Sequence, residues 1–393
     1  MQRSNGLSGA LSRMSGIVRS AFAHHDAADA IGDLARALDP SDLAAVVLFV
    51  TPQADVAETI RRAKAVFAPA PVVGCTTAGE ISSQGYSEGE ILAIGLPRSH
   101  FIIRTLLVEN LETYDAQSLI DRMIRNRNEM IRDEPDWSYE FTFLMIDGMS
   151  TREDTFASEL SIGLGPVPLF GGSAGDGMDF GSTFVLDDGI AHTNAAALLQ
   201  VRTRCPIKVF KTDHLVPTEQ RMVVTDADPD RRIVYEINAE PAAREYARLL
   251  GKDPEQLTTF TFAAHPVVVR IDGQHHVRAI QQLNADGNLN FFSAIDTGLV
   301  LTLAEPENMA THLEREIGQL SSQREPDAIL ACDCVLRRLE AQEKQMTGAL
   351  SDILSRNRVV GFSTYGEQFN SMHVNQTLTG VAIYPPDEIE ADG

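Results

Sequence analysis

Apolar residues set the first periods along the chain. Ala30, Ile31, Leu34, Ala35 and Leu38 recur at helical spacing, so a helix is expected from about residue 26. The continuous apolar run 44–50 that follows reads as a buried strand. That strand opens a pattern of strand, helix, strand and glycine turn that recurs twice more. In the first copy residues 46–50 lead through a helix near 55–67 to Val72-Val73-Gly74-Cys75-Thr76-Thr77-Ala78-Gly79-Glu80. In the second, residues 141–146 lead through a helix at 150–160, with Ser150 as its N-cap, to Leu169-Phe170-Gly171-Gly172-Ser173-Ala174-Gly175-Asp176. In the third, residues 329–332 lead through one long helix, 336–355, to Val359-Val360-Gly361-Phe362-Ser363-Thr364-Tyr365-Gly366-Glu367.

The first and third copies share Val-Val-Gly-x-(Ser/Thr)-Thr-x-Gly-Glu, and the second keeps the glycines and a small hydroxyl residue. Duplication of a parallel strand-helix-strand crossover is the simplest account. Each turn then falls at the carboxyl end of a strand, where α/β sheets hold their ligands. The candidate ligand loops are therefore Gly74, Cys75, Thr76, Gly79 and Glu80; Gly172, Ser173, Gly175 and Asp176; and Gly361, Thr364, Tyr365, Gly366 and Glu367. Their backbone N–H groups could cradle a small anion, with Arg278 or Glu367 as charge partner, although glycine can also serve only the turn.

The texture changes between the second and third copies. Residues 233–237 read as a strand, and 240–250 as a helix with Pro241 in its first turn and Gly251 past its end. Residues 266–303 alternate, with hairpin turns at Asp272-Gly273 and Asp286-Gly287, which predicts an antiparallel meander ahead of the final unit. The fold class is α/β: repeated strand-helix-strand units with glycine-rich turns, plus an inserted antiparallel β meander. Residues 1–25 read as a flexible arm, helical near 17–22. Residues 26–235 form a first domain, 236–386 a second, and 387–393 a tail.

Two domains suit a chain of 393 residues. With 33 Lys plus Arg against 55 Asp plus Glu, the formal charge of −22 repels phosphate backbones and anionic lipid, so nucleic acid and membrane are not expected partners. The apolar runs fall short of the roughly 20 residues that span a bilayer, no h-region opens the chain, and four cysteines make no disulfide framework. A cytoplasmic location is expected. Cys332 and Cys334 share a strand face but lack partners for a zinc site, so buried small hydrophobes is the plainer reading. Cys75 in its turn is a better candidate for reactivity.

Gly171-Gly172-Ser173-Ala174-Gly175 has the spacing of a hydrolase nucleophile elbow, yet a strand rather than a helix is expected after it. No phosphate-binding Gly-x-x-x-x-Gly-Lys loop occurs. Catalysis is not expected. Among ten histidines, His312 falls on a helix expected to be exposed, and His275-His276 face opposite sides of a strand. His214, His265 and His373 are candidate haem ligands beside the plainer reading of hydrogen-bonded structural imidazoles, and covalent haem is excluded by the lack of Cys-x-x-Cys-His.

Residues 72–81, 170–176 and 183–201 resemble the FIST N domain, and residues 266–269, Val277-Arg278, the meander to Leu303 and residues 361–383 resemble the FIST C domain. The most specific stretch is the third turn followed by Met372-His373-Val374-Asn375-Gln376-Thr377. The resemblance implies a sensory unit that binds a small ligand. Asp333-Cys334-Val335-Leu336-Arg337-Arg338-Leu339-Glu340 resembles the stand-alone, haem-associated branch, which implies non-covalent haem b, nitric oxide as ligand and regulation of a separate histidine kinase. His373 is the favoured axial residue, with His214 and His265 as alternatives. The competing readings are a sensor of an amino acid or other small metabolite without haem, and a serine hydrolase acting through Ser173.

Overall fold

The computed structural model describes residues 11–13, 16–271 and 273–387. The three expected units are present, and each is longer than the sequence pattern suggests. Unit one runs through strand Arg19–His24, helix Ala30–Leu38, strand Leu43–Val50, helix Val56–Phe67, strand Val72–Thr76, a hairpin of Glu80–Ser82 and Gly85–Ser87, and strand Glu90–Pro97. Unit two repeats that order: strand Phe101–Glu109, helix Ala116–Asp133, strand Tyr139–Ile146, helix Glu153–Leu164, strand Leu169–Ser173, hairpin Val185–Asp187 with Ile190–His192, and strand Ala195–Thr203. Unit three has strand Ile207–Thr212, helix Met309–Leu320, strand Ala328–Cys334, helices Val335–Glu343 and Thr347–Arg356, strand Val359–Thr364, hairpin Glu367–Phe369 with Met372–Val374, and strand Leu378–Ile383.

Pairing follows one rule in all three. The crossover strands are parallel, as in Leu48 against Gly74, Leu144 against Gly171 and Ala331 against Gly361. The hairpin that follows leaves its own unit. That of unit one pairs with Val359–Thr364, that of unit three with Leu169–Ser173, and that of unit two with Val72–Thr76. The three exchanges close a ring. Glycine is required where the parallel strands pass: a Cβ on Gly74 would lie 1.8 Å from the Leu48 carbonyl oxygen, and one on Gly361 1.8 Å from that of Ala331.

The inner sheet faces meet in a shared core holding Phe49, Phe143, Phe170, Phe362, Cys75 and Cys332. Phe49 stacks on Phe362 at 4.4 Å and Phe143 on Phe170 at 4.7 Å between ring centres. Apolar helix stripes cover the outer faces, as Ile31, Leu34 and Leu38 do for unit one. Cys334 is also buried, so both cysteines of the pair are core residues.

The meander is nested inside unit three, between its first strand and first helix, rather than ahead of that unit. It begins at strand Leu215–Asp228 and ends with Val300–Pro306, in an eight-stranded antiparallel sheet with its own core around Tyr246, Phe262 and Phe291. Helix Ala242–Leu250 packs there, ended by Gly251 in the left-handed conformation as expected. Three local expectations are corrected. Arg19–His24 is a strand paired with Glu90–Pro97, not a helical arm, because Ala21, Phe22 and Ala23 are all buried. The long third-unit helix is two helices, broken where Gln345 takes a positive φ. The unit-two helix begins at Glu153, and Ser150 caps no turn of it but accepts from the Arg152 amide. Residues 1–10, Met14, Ser15, Asp272 and 388–393 lie outside the described residues.

Candidate ligand site at the junction of the inserted sheet

The glycine turns bond to one another. Ala78 N–H donates to Ser363 O at 2.9 Å and Ser363 N–H to Gly79 O at 2.7 Å; Ser173 N–H donates to Gly366 O at 2.8 Å; Gly175 N–H donates to Thr76 O at 3.0 Å. Gly74, Cys75, Thr76, Gly79, Glu80, Gly172, Ser173, Gly175, Asp176, Gly361, Thr364, Tyr365, Gly366 and Glu367 are all buried in this knot. Much of the amide nest expected for a ligand is thus spent on neighbouring turns. Glu367 Oε2 accepts from Thr377 and Oε1 from Thr364, and burial pushes its carboxyl up to about 8. Glu80, held by Thr77, is pushed by burial to about 7. Burial raises the Cys75 thiol well above its ordinary range, which removes it as a reactive thiolate. Ser173 Oγ accepts from Gln368 Nε2, and its strand is followed by no helix before Val185–Asp187. That is not the strand-to-helix turn an elbow needs. Thr76 and Asp176 also border a cleft of about 220 Å³ with Pro52, Asp179 and Phe184.

The three candidate histidines differ. His214 has both ring nitrogens engaged, Nε2 with Glu340 at 2.9 Å and Nδ1 with Arg337 at 2.9 Å. Arginine has no acceptor, so Nδ1 accepts and Nε2–H donates: a neutral, structural imidazole. Burial lowers its pKa accordingly. His312, expected to be exposed, is buried with its ring 6.2 Å from that of His214. His265 is half-buried where helix Thr259–Ala264 ends. His373 is buried on the exchanged hairpin, and Gln368 Nε2 donates to its Nδ1 at 3.1 Å. The proton of the neutral ring therefore sits on Nε2, which meets no acceptor. The ring fits only because residue 366 is glycine: a Cβ there would lie 2.3 Å from His373 Cε1 and 2.9 Å from Asn375 Nδ2.

That glycine places two orphan donors side by side, since Asn375 Nδ2 is also buried without a partner. Asn375 Oδ1 accepts from Ser293 Oγ and from the Ala279 amide, which ties it to the inserted sheet. The residue before Ala279 is Arg278, whose Nε is buried and unpartnered. Arg278 forms no ion pair among the described residues; burial lowers its pKa first, Asp154 opposes that, and Arg232 reinforces it. Burial chiefly lowers the pKa of His373; Asp154 and Glu153 oppose this, and Arg232 and Arg278 reinforce it. Arg232, by contrast, is paired with Glu153 at 2.8 Å and Asp154 at 3.1 Å. Beside the cluster lie Phe180, Phe292 and Tyr365, with ring centres 4.7 to 6.0 Å apart.

His373, Asn375 and Arg278 thus present N–H groups with nothing among the described residues to receive them. Each such buried group costs about 1–3 kcal/mol, so the set costs a sizeable part of a domain's net stability. An acceptor-rich guest would satisfy all three. Of this set, sequence reasoning reached His373 and Arg278. It missed Asn375, Ser293 and Gln368, although Asn375 stands inside the Met372–Thr377 stretch that carried the resemblance. Haem is a poorer match to these groups. His214 has no free nitrogen, and the free Nε2 of His373 is walled by Gly366 and an amide among donors suited to oxygen rather than to an apolar macrocycle.

A ring of α/β units with an inserted antiparallel sheet, and a polar junction between the two, defines a ligand-binding module. Family comparison matches residues 44–240 to the FIST N domain and 242–370 to the FIST C domain, so the chain belongs to the FIST family of sensory, ligand-binding signalling domains. No curated protein gives a significant match to the chain. Among the described residues no helix is long and apolar enough to cross a membrane.

Proposed function

We propose that this chain senses a small carboxylate-bearing metabolite, amino acids included, at the junction between the inserted sheet and the three-unit body. The observation that carries the reading is the cluster of three buried donors, on Arg278, His373 and Asn375, without an acceptor among the described residues. A carboxylate offers about four lone-pair sites in one plane and a charge to answer Arg278. The neighbouring aromatic rings suit the rest of such a molecule. Arg278 and Ser293 belong to the inserted sheet, whereas His373 and Asn375 belong to unit three. A bound carboxylate would fasten one to the other, and a separate signalling protein, such as a histidine kinase, would read the difference.

Thermal melts with the L-amino acids and short dicarboxylates, each beside its amide, test this. A binding carboxylate stabilises the folded state by about 2.7 kcal/mol at a hundred times its Kd, and Arg278→Met abolishes the shift. Equal shifts from amide and acid, or none from any acid at millimolar concentration, refute the reading. A haem-based nitric oxide sensor, as the resemblance implies, would draw on His265, the one candidate ring neither sealed nor doubly hydrogen-bonded. A Soret shift with haemin that is lost in His265→Ala would favour that reading instead.

A further inference from the structure

The inserted sheet turns one face toward the body of the molecule, but the body covers only part of it. Val268, Val277 and Ala304 pack against Leu336, Leu339 and Tyr365. Further along the same strands, on the same face by register, stand Arg270 opposite His275, Arg221 opposite Thr302, and Val223 opposite Val300. The alternation of strand side chains puts these residues in line with the covered ones. Here none of the described residues covers them. Val223 is 38% and Val300 47% exposed, Arg221, Arg270 and His275 are exposed, and Arg221, Arg270, His275, Val300 and Thr302 line an open groove of about 570 Å³, with Val223 paired to Val300 beside it.

The charge of this groove runs against that of the chain. Acidic residues outnumber basic ones by 55 to 33, and many surface arginines are neutralised at close range, as Arg19 is by Asp42, Arg61 by Glu58 and Arg104 by Asp133. Arg221 and Arg270 form no ion pair among the described residues. With a Debye length of about 8 Å at physiological salt, the distant negative charge is screened and a docking chain feels the local cations. Apolar side chains framed by arginines that no described acidic residue neutralises are the composition of a recognition patch rather than of an ordinary solvated sheet face.

We infer that this groove docks an acidic, extended segment of a partner protein, with its carboxylates on Arg221 and Arg270 and its intervening apolar side chains on Val223 and Val300. An extended segment fits because the cations and valines are spaced along strands, and carboxylates match the planar guanidinium fork. The position also links docking to sensing. The strand Gln274–Val277 carries His275 into the groove and is followed directly by Arg278. A ligand that reorients Arg278 pulls on the strand that forms the groove's edge.

Fluorescence anisotropy with the full chain and a fluorescein-labelled hexapeptide of alternating Glu and Val tests the assignment. The comparators are the Lys and Val counterpart and an oligothymidylate. The acidic peptide binds, more tightly at low salt, and Arg221→Glu combined with Arg270→Glu weakens it by about tenfold or more. These side chains are exposed, so the variant keeps the wild-type melt and near-UV spectrum; if it does not, Arg221→Gln alone supplies the same comparison. Absence of acidic-peptide binding, equal binding by the two peptides, unchanged affinity in the variants, or preference for the oligothymidylate each overturns the proposal. The docking surface does not depend on the nature of the ligand: carboxylate-induced melting shifts persist in the double variant, so either idea can fail alone.

Discussion

Replacing Arg278 by Met should stabilise the ligand-free protein, the opposite of what most substitutions at a half-buried, structurally engaged position do. The methionine keeps much of the apolar stem and removes a half-buried guanidinium whose Nε is buried without a partner and whose only described hydrogen bond is a 3.4 Å contact with the Val277 carbonyl. Relieving one orphaned buried donor returns about 1–3 kcal/mol. Asp154 attracts Arg278 and Arg232 repels it, so the two longer-range interactions oppose each other. Arg232→Met is the matched control. It strands Glu153, whose side chain is 3% exposed, and breaking a buried pair from one side costs about 3–5 kcal/mol. In thermal or denaturant melts without ligand, Arg278→Met should unfold about 1 °C or more above wild type, at roughly 1 °C per kcal/mol for one cooperative unit of 393 residues. Arg232→Met should unfold well below it. If both variants fall, the Arg278 guanidinium is satisfied within the fold, and the case for a guest at the junction loses its energetic basis.

Gly366→Ala drives a methyl into His373 Cε1 and should weaken carboxylate binding by about tenfold or more while leaving far-UV dichroism unchanged; binding at wild-type strength would show that His373 plays no part. The raised carboxyls of Glu80 and Glu367 predict a pH dependence. Each holds its proton in the folded chain above the ordinary carboxyl value of 4.5, so its contribution is full below that pH. It is lost as pH rises through about 7 for Glu80 and about 8 for Glu367, at up to about 1.4 kcal/mol per pH unit and per group. Glu367→Gln should flatten that fall in melts between pH 5 and 8, and an unaltered profile would count against a protonated Glu367. His214→Ala removes hydrogen bonds to both Glu340 and Arg337 and should cost roughly 3–5 kcal/mol in denaturant unfolding without affecting any haemin spectrum.

The repeated unit was legible because its defining residues serve backbone geometry. Gly74 and Gly361 sit where strands pass too closely for any Cβ, so they recur at the same point of the motif. The exchanged hairpins were not legible. Glu80–Ser82 and Glu367–Phe369 have three residues each, too few for a period, and Gly361 lies 280 positions along the chain from its partner Ile81. Arg19–His24 was misread because its apolar residues are consecutive, which suits a strand buried on both faces as well as part of a helix. At the site, His373 and Arg278 were reachable as residue types that bear chemistry. That they lack acceptors is a property of three dimensions: Asn375 and Ser293 are 82 residues apart, and nothing local relates them.

The traded hairpins decide how the chain can be divided. A cut between residues 240 and 242, where the two family domains meet, looks like a natural place to separate them. The amino-terminal fragment would keep Glu80–Ser82 without Val359–Thr364 and Leu169–Ser173 without Glu367–Phe369. The other fragment would lack Ile207–Thr212, the edge strand of its own sheet. Each piece made alone would expose bare strand edges and aggregate, whereas the two made together would reassemble. Subcloning either domain by its sequence boundary therefore yields a fragment, and the smallest expressible object is the closed ring.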